Sequence, residues 1–157
     1  DGYKRQANES VASLGLKLAQ LRIGLVLDQQ EGALPQFVTP IKNFVGAAFG
    51  NGKQWQSWIH KEDIARMFVS LSKNELEGVF NGVAPNPVIQ KELVAAIAQQ
   101  LNKPVLLPNV PGFVISLILG EMAQLVLESQ KVQSDQWFAL GFEFHFPTLP
   151  EALRDLL

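Results

Sequence analysis

Apolar side chains recur along the chain with two different periods. Ala7, Val11 and Leu14 fall at i, i+4 and i+7, with Lys4, Arg5, Asn8 and Glu9 off the stripe, which predicts an amphipathic helix stopped by Gly15. The run Leu21–Leu27 is nearly continuous and apolar, as in a strand covered on both faces within a parallel sheet. A helix feeding such a strand is half of a βαβ unit, so a partner strand is expected ahead of residue 1. Residues 28–58 are interrupted by Gly32, Pro35, Pro40, Gly46, Gly50 and Gly52, and read as an irregular excursion carrying Phe37, Phe44, Phe49, Trp55 and Trp58. A helix follows from Glu62, with Ile64, Met67, Phe68 and Leu71 on one face and Glu62 and Asp63 in its first turn. Gly78–Val83 predicts a second buried strand, and Ile89–Leu101 a helix with Leu93, Ile97 and Leu101 in register. Pro104–Leu107 and Phe142–Phe144 read as short strands, and Pro111 to Glu128 as a long helix. Thr148 and Glu151 form a capping-box pair opening a terminal helix. The order of elements is that of an α/β fold.

The most apolar stretch, Val110–Leu127, does not predict a membrane span. Its unbroken part, Phe113–Leu119, has seven residues, and Gly120, Glu121 and Gln124 follow, whereas a span needs about 20. Thirteen basic and fifteen acidic residues give a net charge of -2, so bulk electrostatics offers no case for nucleic acid. With no cysteine, disulfides, thiol nucleophiles and thiolate metal sites are excluded. Nothing at the N-terminus reads as a secretory signal, and a cytoplasmic location is expected. Charged residues are 18% of the 157, below the roughly 25% of soluble domains. So few charges suggest that part of this surface is built to be covered.

Candidate chemistry is sparse. His60 and His145 stand in no metal-ligand spacing, and no metal site is expected. A helix-capping role suits His60, with Glu62 and Asp63 just behind it, and an exposed strand position suits His145. Ser57 with His60 would make a hydrolase only if a third residue oriented the pair. The glycine-rich Gly50–Trp55 has Trp55 where a dinucleotide fingerprint needs a small residue, and Gln54 follows Lys53 where a phosphate loop needs Ser or Thr. A turn leading into a short strand is the better reading, and Lys53 is a solvated loop charge. Arg22 is the one charge in an apolar strand, so it must reach a carboxylate, a phosphate or the strand end, a fixed ion pair and a ligand contact weighing about equally.

Several segments, in this order, carry a family resemblance: Leu21–Leu27, Gly32–Leu34, Gly50–Asp63, Asn81–Pro87 and Gly141–Pro147. Together they resemble the C-terminal half of an atypical branch of the extended short-chain dehydrogenase/reductases, the epimerase/dehydratase-like or nucleoside-diphosphate-sugar-epimerase-like proteins. The resemblance runs over essentially the whole chain. It implies a protein about twice this length, in which an N-terminal half absent here supplies the glycine-rich turn and most of an NAD or NADP site. Tyr3 does not stand for the family's catalytic Tyr-x-x-x-Lys tyrosine, because the residue four further on is Ala7. Gln56 and Ser57 occupy the arginine and aspartate positions of the family's Gly-x-Gly-x-Gln-x-Arg-Asp, which makes a nucleotide-sugar substrate less expected.

By that resemblance the fold is the later part of a Rossmann-type parallel sheet plus a small α/β substrate-side domain. Residues 1–27 and 59–84 would belong to the NAD(P)-binding domain, and residues 28–58 and 85–157 to the substrate side. Arg22, Ile23 and Gly24 would lie near the nicotinamide, with Trp55, Gln56, Trp58 and His60 around a small-molecule substrate. No catalytic residue is assigned within the chain. The expected function is the substrate-side part of an NAD(P)-dependent oxidoreductase or epimerase (an isomerase), inactive and without cofactor affinity by itself. The alternative is a non-catalytic NAD(P)-binding, interaction or regulatory module of the same fold. Either way a missing half or a neighbouring chain is expected to cover Leu21–Leu27 and the Ala7/Val11/Leu14 face.

Overall fold

The computed structural model describes residues 17–120, 123 and 129–157, so the helix expected over 4–14 lies outside the described residues. The first half runs β1 (Ala19–Ile23), β2 (Leu25–Leu27), α1 (Leu34–Lys42), β3 (Trp55–Gln56), β4 (Trp58–His60) and α2 (Lys61–Lys73). Then come β5 (Gly78–Gly82), β6 (Val88–Ile89), α3 (Gln90–Gln100), α4 (Gly112–Leu119), α5 (Asp135–Ala139) and α6 (Leu149–Leu156). The α/β class expected from the sequence holds, with two parallel strand pairs at its centre.

The run 21–27 is two strands rather than one. β1 pairs in parallel with β5, Leu21 opposite Phe80 and Ile23 opposite Gly82. β2 pairs in parallel with β4, Leu25 opposite Trp58. The change of partner falls on Gly24, whose N–H donates to Gly82 O at 3.1 Å while the next N–H, of Leu25, donates to Ser57 O at 2.8 Å. A Cβ at residue 24 would stand 2.1 Å from Ser57 O and 2.7 Å from Val83 Cγ1. Glycine is required there because two partner backbones converge on it.

The β2–β4 pair divides two cores. Leu27 and Trp58 point to one side, among Phe37, Ile41, Leu93, Ile97, Leu153 and Leu156. Val26 and Ile59 point to the other, among Ile64, Met67, Phe80 and Trp137. This is the two-residue alternation of a strand, with both faces covered as a parallel ladder requires. Full burial of Trp58 and of Trp137 contributes about 3 kcal/mol each on transfer grounds. The β1–β5 ladder is less well covered, with Ile23 49% and Val79 42% exposed. Exposed apolar surface along 21–27 is therefore real at Ile23, while Leu27 is completely buried.

Other expectations need correction. The excursion 28–58 contains a true helix, α1, whose Leu34, Phe37, Val38 and Ile41 are buried at i, i+3, i+4 and i+7. Its prolines are compatible with it: Pro35 occupies the first turn, where no N–H is needed, and Pro40 lies close to the end. Pro104–Leu107 and Phe142–Phe144 form no strands. The former is an exposed loop, and in the latter Phe142 and Phe144 pack edge to face, 5.1 Å apart. The helix expected from Pro111 stops at Leu119, because Gly120 turns the chain at φ 55°. Phe68 is half exposed and not part of the α2 core face. The terminal helix opens as expected, with the Glu151 carboxylate accepting from the Thr148 N–H at 3.1 Å and its hydroxyl at 2.6 Å.

Gly24→Ala forces the two ladders apart. It is expected to lower stability by about 2 kcal/mol or more, read as a reduced urea midpoint of the full-length protein. An unchanged midpoint would show that the convergence at residue 24 is slack.

Candidate functional site

The parting of β1 and β2 opens a cleft of about 670 Å³ at the carboxyl end of β1, the place where ligands bind in open α/β sheets. Arg22, Ile23 and Gly24 form one wall, and Trp55, Gln56 and Ser57 another. The cleft is closed by a segment that sequence reasoning did not single out, Gln130–Gln133. Of the residues expected at a ligand site, the fold thus brings together Arg22, Ile23, Gly24, Trp55 and Gln56. Trp58 and His60 do not line the cleft. Trp58 lies fully buried behind it, its indole N–H donating to Asn86 O at 2.9 Å.

The closing segment is fastened at every second residue or so. Trp55 N–H donates to Ser129 Oγ at 3.0 Å, and Gln130 N–H to Trp55 O at 3.4 Å. The Ser57 hydroxyl donates to Gln130 O at 2.6 Å and accepts from Val132 N–H at 2.9 Å. Asn81 Nδ2 donates to Gln133 O at 3.1 Å. Ser57 is therefore occupied as a strut. His60 takes different partners, so the hydrolase pairing of Ser57 with His60 is not formed. Lys131, projecting from this segment, lies 4.2 Å from the centroid of the Trp55 ring. Arg22 is exposed near the end of β1, with no ion pair among the described residues, so the fixed pair is not formed there and its charge reaches solvent at the strand end.

His60 is the N-cap of α2, as its neighbours suggested. Its Nδ1 accepts from the Glu62 N–H at 3.1 Å, and its ring stacks on Phe146 with centroids 3.8 Å apart. Accepting at Nδ1 places the proton of the neutral ring on Nε2, which lies 3.2 Å from Asp155 Oδ2 without hydrogen-bond geometry. Burial lowers the His60 pKa below its ordinary 6.5, against the opposing pull of Asp155, Asp63 and Glu62. The residue beside it was undervalued. Asp63 is completely buried, and its carboxylate accepts from the N–H groups of His145 and Phe146, each at 2.9 Å, and from Arg66 at 2.9 Å. His145 is not in a strand. Its ring pairs with Glu62 at the surface, 2.6 Å away. Among the described residues no group of His, Asp and Glu is arranged to hold a metal ion.

Only two hints of Gln130–Gln133 were present in the sequence. One is a polar stretch between two helical patterns; the other is the need of Ser57 and Asn81, at strand ends, for partners. Lys53, by contrast, sits in an exposed loop whose N–H donates to Asn51 Oδ1, as a turn residue should.

A parallel sheet that parts over a cleft at its strand ends is a Rossmann-type arrangement, and the structural neighbours are Rossmann-type epimerases and dehydratases. Solved structures agree. The chain superposes on human epimerase family protein SDR39U1 with NADPH at a TM-score of 0.81 and 31% identity, covering 89% of this chain and 48% of that one. The fold also matches Thermus thermophilus UDP-glucose 4-epimerase in complex with NAD, at a TM-score of 0.72 and 18% identity, over 98% of this chain and 49% of that one. In sequence, the chain is 38% identical to the chloroplastic SDR39U1 homolog of Arabidopsis thaliana, an epimerase family protein, over 100% of this chain and 44% of the relative. It is 36% identical to Bacillus subtilis epimerase family protein YfhF, over 95% of this chain and 49% of the relative. Residues 110–156 match a domain of unknown function, DUF1731. The chain is thus the counterpart of part of an epimerase family protein, and it spans about half the length of the curated relatives it matches. The resemblance read from the sequence is borne out. No helix among the described residues is long and apolar enough to cross a membrane.

Two changes in the full-length protein probe this region. Asp63→Ala leaves two partly buried N–H groups and Arg66 without their carboxylate and is expected to cost about 2 kcal/mol in urea unfolding. The second concerns pH. The unfolded chain protonates His60 near 6.5 while the folded chain resists, so its contribution is complete above that pH and lost as pH falls below it. His60→Asn keeps a capping oxygen and removes the titration. The variant should be less stable at pH 7.5 yet lose less stability between pH 7 and 5; an unaltered slope would contradict the assignment.

Proposed function

We propose that this chain forms the substrate-side wall of an NAD(P)-dependent epimerase- or reductase-like protein whose remaining residues hold most of the cofactor. The observation that carries the reading is the cleft at the carboxyl end of β1, where Arg22, Ile23 and Gly24 meet Trp55 and Gln56. Its volume is in the range of small-molecule sites. The residues present fit a nicotinamide cofactor: half-exposed Ile23 offers an apolar surface to a flat ring, and Arg22 a free cation to phosphate. The crystal structure of the human relative with NADPH supports the same assignment.

In this reading Arg22, Ile23 and Gly24 touch the cofactor, and Trp55 and Gln56 face a small-molecule substrate, with Trp58 and His60 as their backing. Residues 1–27 and 59–84 belong to the cofactor domain, and 28–58 with 85–157 to the substrate side. The exposed Val79 of the β1–β5 ladder is covered by the rest of the protein, while Ile23 faces the cleft. A cytoplasmic location belongs to the same proposal.

A bound nicotinamide would supply a hydride to, or take one from, a substrate carbon. This chain's described share of the cleft contributes orientation and, through Arg22 and Lys131, charge, and its described lining holds no carboxylate, histidine or tyrosine to exchange a proton. That composition also favours the second reading, a cofactor-binding protein without turnover.

Calorimetric titration of NADPH and NADH into the full-length protein tests the assignment. Saturable one-to-one binding of either is expected, weakened about tenfold or more by Ile23→Asp with the far-ultraviolet spectrum unchanged. If neither cofactor binds, the proposal fails. Oxidation of bound NADPH on adding carbonyl substrates would decide for the enzyme over the non-catalytic module.

A further inference from the structure

Lys131 is the one charged residue of the segment 129–133, and that segment is rigidly placed. Ser129, Gln130, Val132 and Gln133 are all bonded to Trp55, Ser57 or Asn81. The fixed backbone delivers the Lys131 ammonium to the face of Trp55, 4.2 Å from the ring centroid. Two cations, Arg22 and Lys131, line the cleft, and no described lining residue is a carboxylate. Neither cation has an ion-pair partner among the described residues.

Two like charges around one concave, partly desolvated surface repel each other and raise the local concentration of anions. A cation over an exposed aromatic face is held more weakly than one in a charge-assisted hydrogen bond to an oxyanion. The ammonium on Trp55 is thus parked rather than satisfied, and its flexible stem can swing to an incoming anion without moving the backbone. Gln56, buried in the same wall, is uncharged and cannot supply that interaction.

We propose that Lys131 is an oxyanion-binding residue of the cleft. The substrate is then a molecule with a phosphate or carboxylate that reaches Lys131 across the ring of Trp55, while its apolar part rests on that ring. This inference rests on the cleft being the substrate site, as argued above, and it adds the substrate's charge class and the residue that reads it.

The test uses the full-length protein at constant ionic strength, with inorganic pyrophosphate as the phosphate probe and succinate as the carboxylate probe. Trp58 and Trp137 are fully buried whereas Trp55 is partly exposed. Removing the ammonium from the Trp55 ring should therefore appear as a saturable change in tryptophan emission, absent in Trp55→Phe. Calorimetry should show that Lys131→Met weakens the preferred probe by about tenfold or more, equivalent to about 1.4 kcal/mol. Lys131→Arg should restore most of that affinity, and NADPH affinity should stay unchanged in both variants. Preference for pyrophosphate over succinate would assign a phosphorylated substrate, and the reverse a carboxylic acid. Equal probe affinity in wild type and Lys131→Met, or binding of neither probe by wild type at millimolar concentration, would overturn the proposal and leave Lys131 as packing for Trp55. Failure of NADPH binding with the Lys131 effect intact would count against the cofactor assignment alone.

Discussion

Everything at the cleft depends on the absence of a side chain at residue 24. Two parallel ladders, β1 with β5 and β2 with β4, share one continuous run of backbone. They can do so only where Gly82 O and Ser57 O both reach that run within one residue. Had the run kept one partner, no opening would exist at the end of β1. Because it changes partner, Ser57 and Asn81 are left at strand ends with side chains free to hold something else, and what they hold is the Gln130–Gln133 segment. One backbone constraint therefore creates both the opening and the means of closing it.

A second tie works at the far side of β4. Asp63 sits in the first turn of α2, where a carboxylate is favoured by the helix dipole, and turns that position into an anchor for the chain at His145 and Phe146. His60, capping the same turn, stacks on Phe146 and lies against Asp155 of α6. The C-terminal region thus crosses from one core, through Trp137, to the other, through Leu153 and Leu156. Residues in the stretch matched by DUF1731 bind both sides of the β2–β4 wall. This explains how a segment far along the chain can set the width of a cleft built from its first strands.

How much of this was legible in the sequence follows from how local each cause is. The α2 and α3 helices and the Thr148–Glu151 cap were visible because their signals lie within a turn or two. Of the cleft, Arg22, Ile23, Gly24, Trp55 and Gln56 came through the family resemblance, with Arg22 also marked by its charge in an apolar strand. The helix α1 was hidden by its own prolines, although its i, i+3, i+4, i+7 spacing was present. The split at Gly24 was invisible because nothing within 21–27 says that two partners compete for it. Phe142–Phe144 alternates like a strand, yet aromatic packing with Trp137 satisfies its side chains without a ladder. Lys131 and Asp63 were passed over for one reason: a lone charge gains meaning only from distant residues, 55, 57 and 81 for the first, 145 and 146 for the second.

The low charge content has two separate physical origins. One is the β1–β5 ladder, where Ile23 and Val79 stay exposed although parallel ladders are ordinarily covered on both faces. Among the described residues β1 is paired along one edge only, so a further strand and the helices above it would remove this surface from water. The other is the loop 105–107 with α4, where Leu106 is 71% and Leu117 82% exposed. That surface lies well away from the β1–β5 ladder in sequence and carries no strand that could extend the sheet. Covering the ladder therefore accounts for only part of the missing charge. The cleft lies at the end of that ladder: its walls come from β1, β3 and residues 130–133, and no carboxylate among its described lining residues competes for the two cations. A chain with an ordinary share of acidic residues in these stretches would have neutralised Arg22 and Lys131 internally. Keeping acid out of the walls is what leaves both cations available to a ligand.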